Sequence, residues 1–247
     1  MVEFAAAIQF LLISPAFVKR PFTPTELGRS TAFFTLVGLL LGGMLAGADL
    51  LFAYIFPIEV RSALVLVLWI VLTGALHFDG LLDSADGLLG GGTAERRMQT
   101  MRDEQTGAYA AAAGVLILLT MFSALNAVEP ARWAALLLAP VLGRCGITLS
   151  VVMFAYAREA GLGRDMKDHA RRGQAVAALL TTLAVAGGVA WQMRSLAAVA
   201  AVVTALVVWR LASLFVLRRI PGMTGDTYGA INMFIEASVL LTFAATP

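Results

Sequence analysis

Charge is what this sequence has least of. Only 14% of its 247 residues are Asp, Glu, Lys or Arg, while 60% are hydrophobic. A soluble domain carries about 25% charge, so this excess of apolar residues is too large for one soluble core, and lipid must be the solvent for much of the surface. Cysteine is nearly absent as well. Cys145 is the single one and lies in an apolar run, which excludes an intrachain disulfide and a cysteine metal site. No linker, internal repeat or low-complexity tract interrupts the chain, so residues 1–247 read as one membrane-embedded domain. The formal net charge of +2 is small, and nothing points to nucleic acid as a partner. The amino-terminal segment lacks the order of a signal peptide: Glu3 precedes its apolar run, and Lys19 and Arg20 follow it. That order predicts a retained first segment with its amino end outside.

What is present is a succession of apolar runs. A spanning helix needs about 20 apolar residues, and eight segments qualify as candidates: 4–18, 31–56, 62–78, 108–127, 133–157, 174–191, 195–217 and 228–245. The first is short and contains Pro15, and the fifth contains Pro140 and Gly143, where a kink is expected. The fold class is therefore all-α, a polytopic bundle of about seven to eight membrane segments. Basic residues test this division, because Lys and Arg collect in cytoplasmic loops. The loops at 19–30, 79–107, 158–173 and 218–227 hold most of the 18 Lys and Arg, whereas the three intervening loops hold only Arg61, Arg132 and Arg194. The alternation predicts the four basic loops in the cytoplasm and both termini outside.

Every residue cluster with chemical character falls on the basic side. Residues 77–87 read HFDGLLDSADG and follow an uncharged apolar run. If the third helix continues through them, Asp79, Asp83 and Asp86 stack on one helical face at i, i+4 and i+7. Three carboxylates at that spacing near a low-dielectric region need a cation or shared protons. Oxygen ligands at this density suit magnesium, which keeps water and recruits substrate phosphates. Gly80 and Gly87 leave room for a bulky polar ligand, and His77 either donates to a phosphate or bonds at the helix end. Gly90, Gly91 and Gly92 predict a turn, and Thr93 then caps a short amphipathic helix carrying Arg96, Arg97 and Arg102. These arginines suit phosphate or anionic lipid. Asp103 at the end of the same loop, and Arg158 and Asp226 in other basic loops, are further candidates. Inside the segments, Glu236 is expected to pair with Arg144 or Arg210.

HFDGLLDSADG, followed by MRDEQTGAY at 101–109, resembles the signature of the cobalamin synthase family, the adenosylcobinamide-GDP ribazoletransferases. LVGLLLG at 36–42, YAREAGLG at 156–163 and TGDTYGA at 224–230 agree with it in order. The resemblance runs from about residue 26 to the end. Departures at Thr35, Glu104 and Pro221, and a missing Thr-Arg-x-Pro element near the amino end, leave the carboxylates untouched.

The resemblance implies a magnesium-dependent phosphotransferase of the bacterial inner membrane, with its active site on the cytoplasmic face. The reaction joins α-ribazole, or its 5′-phosphate, to adenosylcobinamide-GDP and releases GMP. On this reading Asp79, Asp83 and Asp86 hold magnesium on the diphosphate, and one of them, with Asp86 preferred, or Asp103 accepts the ribazole proton. Arg96 or Arg102 meets the diphosphate, and Asp226 completes the site. Oligomeric state is left open.

Two other readings compete. A CDP-alcohol phosphotransferase of phospholipid synthesis also carries an Asp-rich motif at a membrane face, but its second D-x-x-x-D half is missing after the glycines. A cation transporter expects acids at mid-membrane depth in interrupted helices, where only Glu236 is expected here.

Overall fold

The computed structural model describes residues 1–129 and 131–246, and among these the chain is helical throughout, with no strand longer than one bridge. Six helical stretches are long and apolar enough to cross a membrane. The first is a continuous run in which α2 (Pro24–Ser30) passes through a single 3-10 turn into α3 (Phe34–Phe52). Thr23 starts it with a reciprocal cap: its hydroxyl accepts from Glu26 N, and the Glu26 carboxylate accepts from Thr23 N. The other five are α7 (Ala108–Ala127), α8 (Arg132–Met153), α10 (Arg172–Met193), α11 (Ala197–Leu217) and α12 (Gly225–Ala245). Two short helices, α6 (Ala94–Thr100) and α9 (Leu162–His169), lie in the connections.

α8 is the centre of the bundle, buried along nearly its whole length and packed between α3, α10 and α12. It runs as one helix through Pro140. α3 reaches it closely because Gly38 and Gly42 face its backbone: a Cβ at Gly38 would stand 2.5 Å from the Pro140 carbonyl oxygen. α10 and α11 turn broad apolar faces outward, as helices that are apolar all round do in lipid.

Two expectations are corrected. The first apolar segment does not span. α1 (Val2–Leu11) has ten residues, a length of about 15 Å against a hydrocarbon core of about 30 Å. It packs beside the start of α3, Phe4 against Phe33 at 5.7 Å and Phe10 against Phe34 at 5.9 Å. Beyond it, Ile13 N donates to Leu72 O. The amino end therefore lies at the basic end of the bundle and not at the opposite one.

Nor does the third helix continue into the Asp cluster. α4 (Ile58–Leu72) stops, and α5 (Leu76–Leu89) departs at 88°. The stop is a Schellman motif: Gly74 N donates to Val71 O and Ala75 N to Ile70 O. Gly74 and Ala75 are both left-handed, at φ 58° and 57°. By length and composition the described residues hold six candidate spans, or seven if α4 and α5 together are counted as one broken span.

Candidate functional site

α5 carries the three aspartates, and its packing decides which of them are free. Gly80 lies against the start of α12 so closely that a Cβ there would stand 2.8 Å from Asp226 O. The close approach brings the carboxylate face of α5 to Asp226. A second contact fixes the other end of α5. Asp86 accepts from Gly107 N at 2.6 Å and Ala110 N at 2.9 Å, so its carboxylate caps α7. Gly107 has no room for a side chain, since a Cβ would meet the Asp86 carboxylate at 2.7 Å.

Asp226 stands in the first turn of α12 but is not its cap. Thr224 fills that position and accepts from Thr227 N at 3.2 Å. The Asp226 carboxylate is left to accept from Arg158 Nη2 at 2.5 Å. A short parallel bridge sets Arg158 there: Ala157 N donates to Met223 O, and Met223 N to Ala155 O, both at 2.8 Å. Tyr156, held by this bridge, packs against Tyr228 with ring centroids 6.1 Å apart. Burial pushes its phenol above the usual value, so it stays a hydroxyl at neutral pH.

Between these elements is a cavity of about 290 Å³. Asp79, Gly80, Asp226, Arg158 and Tyr156 line it, with the 160–163 turn along one side and His77 at its inner end. Asp83 is half-buried beside it and feels Asp79, Asp226 and Asp86 as like charges and Arg158 as the opposite one. Carboxylates thus outnumber guanidiniums here, a surplus that draws cations. Among the described residues no three acidic, histidine or cysteine side chains already converge to cage an ion.

Of the other expected residues only His77 reaches the cavity, and the rest are dispersed. His77 is buried among the helices, with Nδ1 3.4 Å from Arg144 Nη2 and Nε2 unpartnered. Gly87 is spent on packing, against Met101 and the Arg97 carbonyl. Arg96 is exposed and turned to Gln99. Arg102 and Asp103 are exposed in the α6–α7 loop, where Asp103 accepts from Gln105 N. Arg102 is not among the residues that line the cavity.

Two ion-pair systems stand apart from the cavity. Glu236 pairs with Arg144, both fully buried, while Arg210 is exposed on α11. At the far end of the bundle Asp49 accepts from Arg61 at 2.6 Å and Arg132 at 2.8 Å, and Arg132 also reaches Ser62. Arg61 and Arg132 were expected only as loop charges, and this network escaped sequence reasoning. Its signal was Asp49 itself, an acid inside an apolar segment.

Fold and site together define a class: a multi-pass membrane protein with a carboxylate-rich cavity at one end of its bundle. The chain belongs to the cobalamin-5-phosphate synthase family, whose profile matches residues 3–244. It is 39% identical over 247 residues to the adenosylcobinamide-GDP ribazoletransferase of Pseudomonas syringae pv. syringae strain B728a, covering 99% of each chain. It is 38% identical to the protein of that name from Pseudomonas fluorescens strain Pf0-1, again over 99% of each. The Stutzerimonas stutzeri strain A1501 protein, of the same name, is 39% identical over 99% of this chain and 98% of its own. No solved structure matches the chain.

Proposed function

We propose that this chain carries out the reaction for which its relatives are named, and does so in the cavity between α5, α12 and the 155–163 segment. The adenosylcobinamide-phosphate group of adenosylcobinamide-GDP passes to α-ribazole or its 5′-phosphate. A ribose oxygen forms the new bond to phosphorus, the bond to the GMP oxygen breaks, and GMP leaves. The observation that carries this reading is the convergence of Asp79, Asp226 and Arg158 from three separate stretches of chain on one cavity, with Asp83 beside it.

A diphosphate entering this cavity meets a surplus of like charge. The donor set, all carboxylate oxygens with no ready-made cage, fits a magnesium ion that keeps waters and takes phosphate oxygens as its remaining ligands. Asp79 and Asp83 would hold magnesium, which supplies charge neutralisation on the diphosphate. Arg158, steadied by Asp226, presents its remaining N–H groups to the phosphates, and Arg102, exposed in the α6–α7 loop, is a further cation for the same anions. The proton of the attacking hydroxyl goes to a carboxylate of this cluster. Asp86 is engaged at α7 and is assigned a positioning role, and Asp103 sits in the outer loop. The four basic connections share the cavity's end of the bundle, which supports a cytoplasmic site.

The test is the purified protein in liposomes with both substrates, following GMP release and the corrinoid spectrum. Asp79→Asn and Asp83→Asn are each expected to lower kcat by on the order of 10²-fold or more, and chelation of magnesium to abolish turnover. Full magnesium-dependent GMP release by both variants would overturn the assignment.

A further inference from the structure

A second site lies on the opposite side of α5 from the aspartates. On a helix, Leu81, Ser84, Ala85 and Leu88 face away from Asp79, Asp83 and Asp86. They border a hollow of about 350 Å³ that runs into a second of about 510 Å³, the two sharing Leu81, Ala113, Leu211, Ala212 and Phe234. The result is one groove with α7 and α11 as walls and α5 and α12 as floor. No charged residue lines it. We propose that this groove is a binding site for one anionic phospholipid of the leaflet on the aspartate side.

Length is the first argument. Along α12 the groove extends from Ala230 to Leu241, about 16 Å at 1.5 Å per residue. That matches one leaflet's hydrocarbon, half of about 30 Å. The second argument is an unpartnered donor. Ser84 lines the outer hollow with its side chain buried and its Oγ without a partner. A hydroxyl in such surroundings is costly unless an acceptor reaches it, and a lipid ester carbonyl enters at that depth.

The third argument is charge at the rim. Arg219 stacks its guanidinium 3.5 Å over the ring of Phe215, a lining residue, and Arg218 beside it is exposed. Guanidiniums at this rim suit a headgroup phosphate. A helix from a second copy would fill the groove but bring no phosphate to them.

Full-length protein in nanodiscs holding equal phosphatidylcholine and phosphatidylglycerol is extracted into detergent, and retained lipid is identified by mass spectrometry. Phosphatidylglycerol is expected to be retained selectively. Arg219→Gln lowers its retention about fivefold, and Ala212→Phe, which fills the groove, removes it. Wild-type protein is also labelled with a phosphatidylglycerol bearing a diazirine on its acyl chain, which requires no variant to fold. Labelled peptides should come from α7, α11 and α12. Equal retention of both lipids, labelling spread evenly over α3 and α10, or a dimer that Ala212→Phe converts to monomer without change in bound lipid would each overturn the proposal.

Discussion

Glu236 and Arg144 illustrate what one residue does in a medium without water. Each is fully buried, and each is the other's counter-ion. Removing one partner leaves an uncompensated charge, which costs about 3–5 kcal/mol, whereas replacing both with apolar groups of similar volume is often neutral. Glu236→Leu should therefore lower the thermal midpoint in detergent sharply, and adding Arg144→Met should restore much of it. Choosing Arg144 over Arg210 was beyond sequence reasoning, since both arginines sit in apolar runs. Only the rotation of α8 inward and α11 outward separates them. Asp86 teaches a related lesson. Its spacing with Asp79 and Asp83 was legible, but the nearness of α7's first amides, which engage it, was not.

At the scale of elements, the closeness of α5 to α12 is what unites the cavity. Gly80→Leu would press a side chain into the Asp226 backbone, with little freedom to yield. Overpacking of this kind costs typically about 1–3 kcal/mol. Activity should fall further than stability, because Asp79 and Asp226 are pushed apart. Comparing GMP release with the thermal midpoint of the same preparation checks this. The turn between α4 and α5 was half legible. Thr73-Gly74 after an apolar helix is a stop signal of known type, but it stood inside a run that otherwise read as one segment. A β-branched residue at Gly74 would be forced into left-handed backbone, at a cost of about 1–3 kcal/mol.

For the whole molecule, the eight candidate segments reduce to seven once α1, too short to span, is set aside and α4–α5 is counted as one broken span, as the segment at 62–78 already was. Seven crossings would put the two ends of the chain on opposite faces. A carboxyl-terminal phosphatase fusion should be active outside the cytoplasm, and an amino-terminal one silent. The reverse result would reject this arrangement. Far from the cavity, Asp49 ties α3, through Arg61 and Arg132, to α4 and α8. Asp49→Leu should cost about 3–5 kcal/mol and, at temperatures where the protein stays folded, leave the KM for adenosylcobinamide-GDP unchanged.

The amino-acid sequence by itself determined the membrane class, most of the spans, and the Asp motif at the basic end of the bundle. Those properties are sums over local segments: hydropathy over some twenty residues, basic residues per loop, one helical period. Tertiary structure alone decided that Asp226 meets Arg158, that Asp86 caps α7, that Arg144 and not Arg210 holds Glu236, and that the chain turns by 88° before the aspartates. Each of these depends on how one helix is rotated against another. In helices apolar on every side, the pattern of residues carries little record of which face turns inward, and only packing between helices fixes it.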